Sequence, residues 1–166
     1  MNIENYRWLA GLIAAHKDRK VVGRTRLQKT VKLLQRLGFP TTYGYTIYFY
    51  GPYSEDLHAG LRLLESMGLI TEEEHQSHEG TPYYTITAAP DAELNEIAKY
   101  RPLIDQLAQT EPVVLELAAT YDAFRELGCD HDDALRRLRR KKGSKCDDGR
   151  DEAALGLLER IGVSTK

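Results

Sequence analysis

Apolar residues recur at helical spacing at Trp8, Leu9, Leu12 and Ile13, which predicts a first helix over Asn5 to Ala15. A charged turn follows. Leu27, Val31 and Leu34 then mark a second helix from about Thr25 to Leu37, with Gly38 placed to stop it. Phe39-Pro40 breaks that pattern. From Tyr43 to Tyr50 the positions alternate as in a strand, with Tyr43, Tyr45, Ile47 and Phe49 on one parity and Tyr48 and Tyr50 on the other. Gly51-Pro52 reads as a turn, and Ser54 as the cap of a third helix with Glu55 and Asp56 in its first turn. That helix runs to about Met67 with Leu57, Leu61 and Leu64 inward. Leu69 to Thr71 and Pro82 to Thr87 read as the strands of a hairpin, and Glu72 to Thr81 as the polar loop between them.

Beyond Asp91 the spacing is helical throughout, over about Ala92 to Gln109, Pro112 to Leu127, Asp132 to Lys141 and Asp151 to Ile161. The stretch KGSKCDDGR, Lys142 to Arg150, has the composition of a loop. This order predicts an α+β fold: a winged helix-turn-helix core over residues 1–90, and a helical region over residues 91–166 packed on it. There is no internal repeat.

The segments GRTRLQKTVKLLQ, YFYGPYSEDL and LRLLESMGLI resemble the YwgA-like proteins of bacteria and archaea, winged-helix proteins whose function is largely unassigned. LELAATYDAFRELG and DEAALGLLERIGV are similar to that family's helical second half, so the resemblance covers most of the chain. The turn GPYSEDL is its most specific element. More distantly, the start of the basic helix resembles the Panacea antitoxin domain, which lacks a counterpart to the C-terminal part. The resemblance implies a fold and a bacterial or archaeal setting, and no catalytic motif.

Composition narrows the function classes. A net charge of −2 exerts no global pull on nucleic acid or membrane, so any electrostatic role needs local patches. Two cysteines in 166 residues argue against a disulfide framework and suit a reducing cytoplasm. The apolar run Trp8 to Ala15 is too short to cross a membrane and lacks a cleavage pattern. No phosphate-cradling glycine loop, nucleophile elbow or zinc-protease helix occurs, which predicts neither an enzyme nor a cofactor.

The charges conflict with classical groove binding. A winged helix commonly lays its third helix in a groove, yet here the outward face predicted for that helix is Glu55, His58, Arg62, Glu65 and Ser66. The loop beyond it carries Glu72, Glu73, Glu74 and Glu79 and no cation, where phosphate contact needs lysine and arginine. Cations gather elsewhere. An ideal second helix sets Lys29, Lys32 and Arg36 opposite its apolar face, and Arg24 and Arg26 extend the charge to its start. A second cluster holds Arg136, Arg137, Arg139, Arg140, Lys141, Lys142 and Lys145.

These features predict a regulatory module that binds nucleic acid, as in transcription regulation, with Arg24, Arg26, Lys29, Lys32, Arg36, Arg137, Arg140 and Lys141 as the contacts. The competing expectation is a protein-interaction module, an adaptor or antitoxin-like partner. It uses Tyr48, Tyr50, Tyr53, Glu55, His58 and Arg62, because tyrosine is enriched at interfaces and five of the ten tyrosines lie between Tyr43 and Tyr53. A homodimer stays open. His75 and His78 have metal-like spacing in a flexible acidic loop without a cysteine, and Cys129-Asp130-His131 reads as a helix-capping turn, so no metal site is predicted.

Overall fold

The computed structural model describes residues 2–166, an α+β structure of seven α-helices and five short strands among those residues. Helix α1 (Ile3–Ala15) starts at Asn2, whose side chain accepts a hydrogen bond from the Glu4 N–H, and it buries Trp8, Leu9, Leu12 and Ile13. The expected charged turn contains a three-residue strand instead, β1 (Lys20–Val22), which pairs antiparallel with β5 (Pro82–Ala88). Val21 lies opposite Ile86 and both are buried, so one inward side chain suffices to add the strand to the sheet.

Helix α2 (Arg24–Arg36) follows Gly23, whose φ of 99° lies in the left-handed region that favours glycine. Leu27, Val31 and Leu34 are fully buried, as their spacing predicts. The opposite face is buried as well. Gln28, Lys29 and Lys32 keep 3%, 2% and 7% of their surface, so α2 is a central strut and not a one-sided amphipathic helix.

The tyrosine segment departs from the expected single strand. Only Thr46–Tyr48 (β2) is laddered, and it pairs with Gly51–Tyr53 (β3), where a turn was expected. The reason is on α2. The Gln35 side chain accepts from the Tyr43 N–H at 3.0 Å and donates to the Tyr43 carbonyl at 2.9 Å. Seven residues earlier on the same helix, Gln28 does the same to Ser54, at 2.9 Å in both directions. Lys29 Nζ donates to the Pro52 carbonyl at 2.6 Å. Both ends of the hairpin thus pair with side chains rather than with another strand. Gly51, at φ 91°, is buried where a Cβ would collide with Thr120 Oγ1.

Ser54 caps α3 (Glu55–Ser66) by accepting from the Leu57 N–H. Strand β4 (Ile70–Gln76) then pairs with β5 in the order β1-β5-β4. The first half of the expected loop is therefore strand, and the turn is confined to Ser77–Thr81.

The helix expected over Ala92 to Gln109 is replaced by two 3₁₀ segments, Pro90–Ala92 and Asn95–Tyr100, before α4 (Arg101–Ala108). The buried residues Leu94, Ile97 and Tyr100 recur every third position, the period of a 3₁₀ helix. Tyr100 meets Trp8 and Phe39 edge-on, with centroids 5.9 and 5.1 Å away, and donates to the Gly38 carbonyl. Helices α5 (Pro112–Glu126), α6 (His131–Lys142) and α7 (Arg150–Ile161) follow their predicted bounds closely. Helix α5 packs on α2, β3, α6 and α7, and one cluster of buried apolar residues runs from Trp8 to Val163. No helix among the described residues is long and apolar enough to cross a membrane.

Replacing Gln28 with alanine leaves the buried N–H of Ser54 unpaired, while its carbonyl keeps the bond from the His58 N–H. A loss of roughly 1–3 kcal/mol is expected for one such group. Urea unfolding measures it, and a loss below about 1 kcal/mol would mean that the clamp is dispensable.

Candidate functional site

The cations of α2 do not form the outward patch that helical geometry predicts. Arg24 stacks over the Tyr84 ring at 3.6 Å and pairs with Glu72. Arg26 caps the C-terminus of α4, donating to the carbonyls of Leu107 at 3.0 Å and Thr110 at 2.8 Å. Lys32 lies between Asp122 and Glu126 of α5, and Arg36 reaches Asp122 at 3.3 Å. The expectation that Lys29 and Lys32 face solvent is thus corrected. An acidic helix from the far end of the chain covers that side of α2.

The two basic clusters do converge, on a buried carboxylate. Glu116 of α5, 4% exposed, receives Lys145 Nζ at 2.9 Å and lies 3.5 Å from Lys142 Nζ. Lys142 also donates to the Phe49 carbonyl at 3.1 Å, so Lys29 and Lys142 hold the hairpin from two sides. Burial lowers the pKa of Lys29 to about 8, with Glu116 opposing and Lys142 and Lys145 adding to the shift. Burial lowers Lys142 too.

What this scaffold presents outward is the hairpin tip. Phe49 is 80% exposed, Tyr50 55% and Tyr48 48%. The Lys145 ammonium sits 5.0 Å from the centre of the Tyr50 ring, and Phe49 and Tyr50 meet edge-on. The last turns of α6 stand beside the tip through the Lys142 contact. There Arg140 and Lys141 are exposed with no ion-pair partner among the described residues. Arg137, by contrast, shares Asp133 with Arg136, and Arg139 pairs with Asp151.

The residues expected to bind a protein partner fall into two groups. Tyr48, Tyr53, Glu55 and His58 lie together: Tyr48 and Tyr53 meet edge-on at 5.7 Å, the Tyr48 hydroxyl donates to Glu55, and Tyr53 leans on His58. Tyr50 belongs to the tip instead, and Arg62 is exposed one turn beyond His58 on α3. His75 lies in β4 rather than in a loop, stacked on Tyr83 and hydrogen-bonded to Thr85. Asp130 caps α6 at the Asp133 N–H. No group of three or more His, Cys, Asp or Glu side chains among the described residues is placed to hold a metal ion.

Sequence reasoning missed Gln28, Gln35 and Glu116. A signal existed for Glu116, a lone carboxylate inside the apolar run PVVLELAATY. None existed for the glutamines, whose partners, the Thr41 hydroxyl on Gln35 apart, are backbone atoms.

No family model matches the chain. It is similar to the uncharacterized protein YwgA of Bacillus subtilis (strain 168), at 36% identity over 53 residues. That match covers 32% of this chain and spans only 32% of the relative's length.

Lys29 has a folded pKa of about 8, below its unfolded value near about 10.4, so between the two the unfolded chain holds a proton that the folded chain lacks. Raising the pH across that window therefore favours the fold. Relative to Lys29→Met, the native protein should gain stability from pH 8 to about 9.5, by no more than about 1.4 kcal/mol per pH unit. Urea unfolding of both proteins across the window measures the difference. A flat difference would show that Lys29 is not the group responsible.

Proposed function

We propose that the chain is a non-enzymatic winged-helix module that binds nucleic acid, and that the contact is the hairpin tip with the basic end of α6 rather than α2 or α3. The element order α1-β1-α2-β2-β3-α3-β4-β5, in which the β2–β3 hairpin is inserted between the second and third helices, with the sheet order β1-β5-β4, supports the winged-helix assignment. The observation that carries the functional proposal is the pair of exposed Phe49 and Tyr50 rings with Lys145 against Tyr50, held by Lys142 of the same basic segment that carries the unpaired Arg140 and Lys141.

Exposed rings between cations suit a single strand. Unpaired bases offer both faces for stacking, worth roughly 1–3 kcal/mol per base, while the cations follow the phosphates. A duplex keeps its base faces stacked and offers the rings nothing. The residues proposed for α2 contribute indirectly: Lys29 and its neighbours hold the tip in place, and Arg24, Arg26, Lys32 and Arg36 are engaged within the fold.

A protein partner, adaptor or antitoxin-like, is the second reading. It is favoured by the Tyr48–Tyr53–His58 cluster beside Glu55, where aromatic area is offered with little positive charge.

Fluorescence anisotropy with a labelled oligothymidylate separates the two. Binding should weaken by at least about tenfold between about 50 and about 200 mM salt, and Arg140→Glu with Lys141→Glu should flatten that dependence. Phe49→Ala should weaken binding roughly tenfold at fixed salt. Absence of binding at the lower salt, or unchanged affinity in both variants, would remove the nucleic-acid proposal and leave the partner reading.

A further inference from the structure

Helix α1 borders an apolar groove that neither reading above uses. It lies between α1, the end of α3 and the Pro90–Ala92 segment, and its volume is about 450 Å³. Ala10, Leu64 and Ala92 form a buried floor, and the half-buried Tyr6, Leu63 and Leu69 line the walls. Ile3 and Met67 stand at its edges, 75% and 60% exposed. Single exposed apolar residues are ordinary, but edges, walls and floor that are apolar together mark an interaction site.

The charges around the groove select its occupant. Arg7 lines it but is held by Glu4 at 3.3 Å and Glu96 at 2.8 Å, and Glu93 is held by Arg19 at 3.0 Å. Asp91 also lines it, exposed and with no ion-pair partner among the described residues. Four carboxylates thus stand against two guanidiniums. A rim acidic in balance repels phosphate, so neither nucleic acid nor an anionic membrane fits it. A second copy related by a two-fold axis would set two such rims against each other, which is unfavourable for the same reason. What fits is apolar on one side and cationic around it.

Shape narrows the choice further. From Ile3 to Ala10 the α1 wall is about 10 Å long, or about two helical turns. A helix of that length lays apolar side chains at i, i+3 or i+4, and i+7 into such a groove. We propose that this groove docks an amphipathic helix of a partner protein. Its apolar anchors lie between Ile3 and Met67, and its lysines or arginines face Asp91 and the neighbouring glutamates. Met67 suits the role, since a thioether side chain adapts to the anchor it meets. The groove shares no residue with the hairpin tip or with the Tyr48–Tyr53–His58 cluster, so the proposal is independent of both readings above.

The test is an NMR titration of methyl-labelled protein with a synthetic peptide of about 16 residues, with leucines at that spacing and lysines elsewhere. One control peptide has the same residues in scrambled order, and another has glutamate in place of every lysine. The ordered lysine peptide should give saturable shifts at the Ile3, Leu63 and Met67 methyls, and bind at least about tenfold more tightly than either control. Met67→Lys should weaken it at least about tenfold, and Asp91→Lys about threefold. Both side chains are exposed, so both variants should fold normally. Phe49→Ala should leave the affinity unchanged, which separates this groove from the hairpin tip. Sedimentation of the protein without peptide tests the rival occupant, because a dimer that Met67→Lys disperses would assign the groove to a second copy. That outcome, absence of saturable shifts, equal binding of the lysine peptide and either control, or native affinity in Met67→Lys would each overturn the proposal.

Discussion

Everything between Tyr43 and Ser54 depends on two glutamines placed seven residues apart on α2. Gln35 and Gln28 each take the N–H and the C=O of one hairpin residue, as a neighbouring strand would. Residues separated by seven stand on one helix face about two turns, or about 10 Å, apart. The helix therefore sets the two ends of the hairpin at a fixed spacing. Lys29, one residue on from Gln28, adds a third hold at Pro52, which has no N–H of its own to offer. A two-stranded ribbon is marginal in water alone, and here the buried Gln28 and Lys29 and the half-buried Gln35 replace the strands it lacks.

Burying those side chains exposes α2 to an electrostatic problem, and α5 resolves it. Lys29 and Lys32 are almost wholly covered, and an uncompensated ammonium there would be very unfavourable. Glu116 and Asp122, both buried on α5, answer with opposite charge, and Lys142 and Lys145 complete the network from the other side. Such networks roughly break even against apolar packing, yet losing one member is severe because its partner stays buried and charged. The N-terminal helices and the C-terminal ones are thus mutually dependent. The first supply cations that cannot be buried alone, and the second supply carboxylates that cannot be buried alone either.

This dependence also marks the limit of what was legible in the sequence. Helices α1, α2, α3, α5, α6 and α7 follow from apolar spacing and caps such as Ser54, because those signals are local. Strand β1 was missed because only Val21 faces inward. The β2–β3 hairpin was misread because its partners are glutamine side chains. The basic clusters were legible as charge, but their fate was not. Lys32 and Asp122 lie 90 residues apart, and no periodicity connects them. An ideal-helix projection places Lys29 and Lys32 in solvent only if nothing packs on that face, and α5 does.

The same constraint bears on function. A cation held between two carboxylates cannot also neutralise phosphate without surrendering its partners, so charge counted along α2 overstates what that helix can bind. Positive charge that remains free must lie beyond the reach of Glu116, Asp122, Asp133 and Asp151, and Arg140 and Lys141 meet that condition at the end of α6. They adjoin in sequence Lys142, which anchors the hairpin at Phe49, so the segment that holds the exposed rings in place also carries the cations that the network leaves over. Moving the hairpin would break the Lys29 and Lys142 contacts together. The tip is therefore better suited to a preformed contact than to one assembled on binding.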